Sequence, residues 1–212
     1  MLKILYQDRD LVVCIKPAGA LSQDSGERSV PAMLRAQLGV DYVAVIHRLD
    51  KEVGGVMVYG LSQKGAAGLS RAVQERKLEK VYQAILRGIP AEPSGTLEDL
   101  LFHDKTRNKT YVVDRKRKGV KDASLEYEVL RSGAAHALVQ VRLHTGRTHQ
   151  IRVQFASRGM PLAGDGKYGG KEPGAAVFLW SCRLSFLHPV TGKQMTFEQE
   201  PEWLGACEKW FT

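Results

Sequence analysis

Three groups of polar residues stand in otherwise strand-like surroundings and have the types to do chemistry: His47, Arg48 and Asp50; then Tyr82; then Arg147, His149 and Arg152. The chemistry they suggest is that of a carboxylate beside an arginine. A buried Asp facing an Arg keeps its charge at neutral pH and stays available as a nucleophile or base, whereas an unpaired buried Asp tends to protonate. The same residues would equally serve as ion pairs that staple loops together, and spacing alone does not separate the two readings.

Other site classes find less support. His47, His144 and His149 carry no H-E-x-x-H spacing and no cysteine partner, so hydrogen-bonding or core histidines are expected and no metal. Ser22 and Ser181 lack a G-x-S-x-G elbow. The glycines of Gly164-Asp165-Gly166 and Gly169-Gly170 match neither a phosphate-binding loop nor a dinucleotide fingerprint, and read as turns.

The elements that must position these groups are legible in part. Residues 10–16 read as a buried strand ended by Lys16-Pro17-Ala18-Gly19, and a mobile polar stretch is expected over 22–29. Pro31 to Leu38 suits a short helix, Ala44 to Ile46 leads into the Asp50 loop, and Val56 to Tyr59 is an apolar strand. Ser62 is expected to cap a helix through Arg76, with Ala66, Leu69 and Val73 on one side, and Tyr82 falls in a strand from Lys80 to Leu86. Alternation at Leu125, Tyr127 and Val129, a Ser132-Gly133 turn, and alternation again from Ala137 to Leu143 predict a β-hairpin. Thr148 is expected to cap a short helix through Ile151 and Phe155 to Gly159, and strands are expected at 177–187 and 195–198.

Composition narrows the partners. The chain has 212 residues, room for one globular unit with a sizeable core, and 31 Lys and Arg against 23 Asp and Glu give a formal charge of +8. Clustered cations gain free energy by releasing counterions from phosphates, so the excess favours nucleic acid. The most basic stretch, residues 103–121, includes Arg115, Lys116, Arg117 and Lys118; it is either a solvated loop or hairpin, or a surface that tracks phosphates. Cys14, Cys182 and Cys207 are odd in number and widely spaced, which suggests buried or incidental thiols in a reducing compartment. No run approaches the roughly 20 apolar residues of a membrane span, and cytoplasmic residence without a membrane partner is expected.

His47-Arg48-Leu49-Asp50, followed far downstream by Thr145-Gly146-Arg147-Thr148-His149-Gln150-Ile151-Arg152, resembles the RluA-type pseudouridine synthase family. The resemblance extends through Asp10 to Gly19, Lys80 to Gly88, and Gly164 to Gly169. It implies an α+β fold with a long mixed, mainly antiparallel sheet, peripheral helices and a central catalytic cleft, in a single catalytic domain over 1–212 with no separate N-terminal RNA-binding domain. The implied activity is isomerisation of uridine to pseudouridine in ribosomal or transfer RNA; a monomer is expected. That reaction is redox-neutral and consumes no group donor, so no cofactor is expected.

Residue by residue, the resemblance implies that Asp50 attacks or deprotonates the flipped-out uridine and that Arg152 pairs with it. Tyr82 would pack on the uracil and handle the proton lost from carbon 5, and Arg48, beside His47, would fill the gap in the RNA stack. Arg147, Thr148, His149 and Gln150 would support the second motif. Two places depart from the family pattern: Val53-Gly54-Gly55 stands where Thr-Ser-Gly is usual, and Leu179-Trp180-Ser181 where Leu-His-Ala is common. The lost hydroxyls read as loop-supporting, which bears on loop rigidity and substrate choice. A non-catalytic RNA-binding or ribosome-assembly factor with the same fold is the alternative, opposed by the joint presence of Asp50, Tyr82 and Arg152. A small-substrate hydrolase would need an acid partner or metal that the sequence does not offer.

Overall fold

The computed structural model describes residues 1–170 and 176–211. In chain order the elements are β1 (Ile4–Gln7), β2 (Leu11–Lys16), α1 (Val30–Leu38), β3 (Ala44–Val45), β4 (Gly54–Gly60), α2 (Gln63–Gln74) and β5 (Glu79–Arg87). They continue with β6 (Ser94–Asp104), β7 (Lys109–Val113), β8 (Val120–Ser132), β9 (His136–Leu143), α3 (Gln150–Ala156), β10 (Leu179–Leu187) and β11 (Gln194–Glu198), and a short 3-10 helix at Gly205–Trp210. Strands outnumber helices and most pairs are antiparallel, which makes the fold α+β with a mixed, mainly antiparallel sheet, as the family resemblance implied. Among the described residues no helix is long and apolar enough to cross a membrane.

Contacts divide the chain into two compact units, Met1–Lys80 with Trp180–Glu200, and Val81–Leu179 with Pro201–Thr212. In the first, β4 is wholly buried and is paired along both its edges. β2 pairs antiparallel along one edge, while β10 pairs parallel at Gly54–Gly55 and β3 pairs antiparallel at Tyr59–Gly60 along the other. A strand buried on both faces reads as a continuous apolar run rather than an alternation, which is why Val56-Met57-Val58-Tyr59 stood out in the sequence. Ser62 caps α2 as expected, accepting from the Gly65 N–H at 2.9 Å while donating to Asp10 at 2.6 Å. Ser29 does the same for α1, accepting from the Ala32 N–H, with Pro31 in the first turn where it sacrifices no helix bond.

The second unit is an antiparallel sheet in the order β5-β9-β8-β6-β7. The predicted hairpin is β8–β9, with Leu125 opposite Leu143, Tyr127 opposite Val141, Val129 opposite Val139, and a bulge before Arg131. Ile85, Leu138, Ala163, Leu204 and Cys207 form one core cluster, roofed by Phe178, Trp203, Trp210 and Phe211. Leu101, Ala123 and Val153 form another beneath α3. β6 shows no clean period in sequence; nine of its residues are paired with β8, so its partner rather than its own pattern makes it a strand.

Candidate active site

In the first unit Asp50 sits, half-buried, on the loop between β3 and β4. The loop is anchored through its backbone. The Ser22 hydroxyl donates to the Leu49 carbonyl at 2.7 Å and accepts the Leu49 N–H at 3.0 Å, and the Tyr59 hydroxyl donates to the Ser22 carbonyl. The stretch expected to be mobile thus begins and ends on buried serines, Ser22 and Ser29, whose hydroxyls are committed to the Asp50 loop and to the α1 cap. Beyond Asp50, the Val53 N–H closes a turn on the Asp50 carbonyl and the Gly19 N–H donates to the Lys51 carbonyl. Lys16 is fully buried, and its ammonium donates to the carbonyls of Pro17 at 3.0 Å and Lys51 at 3.1 Å. Burial pushes the Lys16 amine down to about 8, against the opposing pull of Asp50 and Glu52. The Lys-Pro-x-Gly turn is therefore a cradle for the Asp50 loop.

The two neighbours of that motif separate. Arg48 is exposed and reaches the Gln23 side chain at 3.2 Å, whereas His47 is buried and accepts the Val58 N–H on Nε2 at 3.3 Å. Burial, with a smaller contribution from Lys80, holds the imidazole pKa down from 6.5 to about 3. A proton on Nε2 would also break the bond to Val58. His47 is accordingly a neutral brace between the loop and β4. Below pH 6.5 the unfolded chain takes up a proton that the folded His47 refuses, so stability falls as the pH drops from 6.5 toward the lowered folded value. Urea unfolding of His47→Asn compared with the parent should show a smaller loss of stability between pH 6.5 and 4.5; equal losses in both would mean that His47 titrates normally in the fold.

In the second unit Tyr82 lies buried on β5, opposite Val141 of β9. Arg152 is buried on α3 and forms a two-pronged pair with Asp165, Nε to Oδ2 at 2.6 Å and Nη2 to Oδ1 at 2.8 Å. Asp165 also accepts the Lys167 N–H at 3.1 Å, and the Arg152 guanidinium lies 5.3 Å from the Tyr168 ring centre. Asp165 was missed from sequence because its flanking glycines read as an ordinary turn; the signal was a carboxylate inside the matching stretch Gly164 to Gly169. Thr148 does not cap α3. The residue before the helix is His149, held in the left-handed region at φ 54° with no side-chain cap, and the Thr148 carbonyl instead accepts the Thr110 hydroxyl at 2.8 Å. His149 Nδ1 lies 2.9 Å from the Tyr168 hydroxyl, which accepts the Thr110 N–H. Gln150 accepts from the Arg147 N–H and the Thr145 hydroxyl and donates to the Ser124 carbonyl, and Arg147 Nε donates to the Asp122 carbonyl. The second motif is thus spliced into β7 and β8 by its polar side chains.

Residues 103–121 form no single loop: they hold the end of β6, all of β7 and the start of β8. Arg115, Lys116, Arg117 and Lys118 are exposed on the β7–β8 connection, where Lys116 pairs with Asp122 at 2.9 Å and Arg117 lies over the Phe102 ring.

The sequence and the fold match those of known proteins. The family model described as RNA pseudouridylate synthase matches residues 10–157. An uncharacterized RNA pseudouridine synthase of Aquifex aeolicus is 34% identical over 99% of this chain and 72% of its own length. Ribosomal large subunit pseudouridine synthase D of Neisseria meningitidis is 33% identical over 93% of this chain and 57% of its own, so the chain spans little more than half of that relative. Among solved structures, human RNA pseudouridylate synthase domain containing 1 superposes with a TM-score of 0.85 at 23% identity, covering 100% of this chain and 88% of that one. Human RNA pseudouridylate synthase domain containing 4 gives 0.80 at 25%, covering 96% and 90%. The chain belongs to the RNA pseudouridylate synthase family, RluA type, a family of isomerases.

Proposed function

We propose that this chain isomerises specific uridines to pseudouridine in ribosomal or transfer RNA, in the cytoplasm, with residues 1–212 acting as one catalytic domain. Asp50 attacks or deprotonates the flipped-out uridine; the N1 glycosidic bond breaks, the ring turns and rejoins the ribose through carbon 5, and the carbon 5 proton leaves. Tyr82 packs on the uracil and handles that proton, and Arg48 stacks where the base had been. Arg152 supports the charge of the site, and no cofactor is needed because the isomerisation is redox-neutral. The observation that carries this reading is the backbone clamp on the Asp50 loop, in which Ser22 engages both polar groups of Leu49 and Lys16 holds Lys51, fixing a half-buried carboxylate within a matched family segment. Rigid presentation of one carboxylate is what a positioned nucleophile or base requires.

The name of the Neisseria relative points to the large ribosomal subunit as the first substrate to try. Mapping pseudouridines in RNA from cells with and without the chain should show sites that vanish with it; an unchanged map, together with no product on ribosomal or transfer RNA in vitro, would favour an assembly factor of the same fold. The exposed Arg115, Lys116, Arg117 and Lys118 are proposed phosphate contacts. Neutralising Lys116 and Arg117 should flatten the plot of log affinity against log salt by about one to two contacts. An unchanged slope would make this segment a solvated connection.

A further inference from the structure

Two residues at which the chain departs from the family pattern, Gly54 and Trp180, lie face to face. Gly54 opens β4, and its register partner across the parallel pair with β10 is Trp180, followed by Gly55 opposite Ser181. A Cβ placed on Gly54 would stand 2.3 Å from Trp180 Cζ3, 2.8 Å from Cε3 and 3.2 Å from the Lys16 carbonyl oxygen. Real side chains do not approach so closely, so the indole occupies the volume that any residue larger than glycine would need. The ring has little freedom to move aside: it is 7% exposed, and its Nε1 donates to the Gln199 carbonyl at 2.8 Å. The next position is equally closed, because Gly55 has φ +126° and a Cβ there would meet the Ser181 carbonyl oxygen at 2.3 Å.

The contact is placed to matter for the loop. Gly54 directly follows Val53, whose N–H closes the turn on the Asp50 carbonyl, and the Lys16 carbonyl close to Gly54 belongs to the residue whose ammonium grips Lys51. We infer that Trp180 is a positioning residue for Asp50, and that Gly54 and Trp180 form a matched pair in which the bare backbone at one position exists to admit the ring at the other. This rests on the reading of Asp50 as the catalytic carboxylate.

The test is a cycle of Gly54→Ser, Trp180→Ala and the double variant, each measured for single-turnover pseudouridine formation, RNA affinity and thermal stability. Gly54→Ser in the parent background forces the ring or the loop to shift and should slow the reaction about 30-fold with RNA affinity within about 3-fold. Trp180→Ala removes the brace and should slow it by about 10-fold, again with affinity nearly unchanged. Adding Gly54→Ser to Trp180→Ala should cost little more, because the ring is gone and the remaining close approach, to the Lys16 carbonyl oxygen at 3.2 Å, needs only a small shift. Should Gly54→Ser alone fail to fold, the double variant is expected to recover folded protein, and its rate compared with Trp180→Ala decides the matter. Additive effects in the cycle, or rates equal to the parent in both single variants, would overturn the pairing. Asp50→Asn run alongside separates the two readings: an active Asp50→Asn removes the premise, whereas a dead Asp50→Asn with an additive cycle removes the pairing alone.

Discussion

Asp50→Asn is expected to abolish pseudouridine formation, by on the order of 10³-fold or more, while RNA affinity and folding stay close to those of the parent. The amide has the shape of the carboxylate but neither its negative charge nor its basicity, so it can neither attack the ribose or uracil nor accept a proton. The loop should survive the change because its anchors run through neighbouring groups: Ser22 to the backbone of Leu49, Lys16 and Gly19 to the carbonyl of Lys51, and Val53 to the backbone carbonyl of residue 50. Loss of the charge removes one of the two acidic groups that favour the Lys16 ammonium, so a small loss of stability is expected, well short of unfolding. Product can be counted by release of the carbon 5 hydrogen isotope from labelled RNA, and affinity by filter retention of the same RNA. Product at the parent's rate would remove Asp50 from the mechanism; loss of both product and binding would point to a role in holding RNA rather than in the chemistry.

The second large effect concerns Asp165. Its pair with Arg152 is almost wholly withdrawn from water, with the two side chains 0% and 3% exposed. Removing one member of such a pair strips the other of a charge partner and two short hydrogen bonds in a dry setting, so Asp165→Ala should destabilise the fold by roughly 3–5 kcal/mol. At about 2–4 °C per kcal/mol for a chain of this size, the melting temperature should fall by roughly 6–20 °C. The carboxylate also accepts the Lys167 N–H, so the turn that carries Tyr168 loses an anchor as well. Asp165→Asn keeps the shape and one acceptor and should cost less. A double replacement by apolar residues, Arg152→Met with Asp165→Leu, should recover much of the stability because neither charge remains to be buried, yet should stay inactive if Arg152 supports the reaction. Calorimetry or urea unfolding gives the stabilities, and the isotope-release assay gives the activities. A melting temperature for Asp165→Ala within a degree or two of the parent would mean that water or another group compensates Arg152. An active double variant would make the pair structural only.

The sequence by itself carried the chemical vocabulary and the local structure. The two motifs around Asp50 and Arg152, the Lys-Pro-x-Gly turn, the apolar strand β4, the β8–β9 hairpin and the Ser62 cap were all readable, because each is written in adjacent residues or in a short period. Tertiary structure decided the partners. Ser22 looked like the start of a polar stretch until it met Leu49, Asp165 looked like a turn residue until it met Arg152, and Thr148 lost its expected cap to a His149 forced into the left-handed region. β6 became a strand through its neighbour. Gly54 and Trp180 read as two unrelated departures, since residues this far apart in the chain share no local pattern and only the register of β4 with β10 brings them together. A side chain's type is local information, whereas the group that satisfies, charges or crowds it is supplied by another part of the chain, and in a strand-rich fold that part is seldom close in sequence.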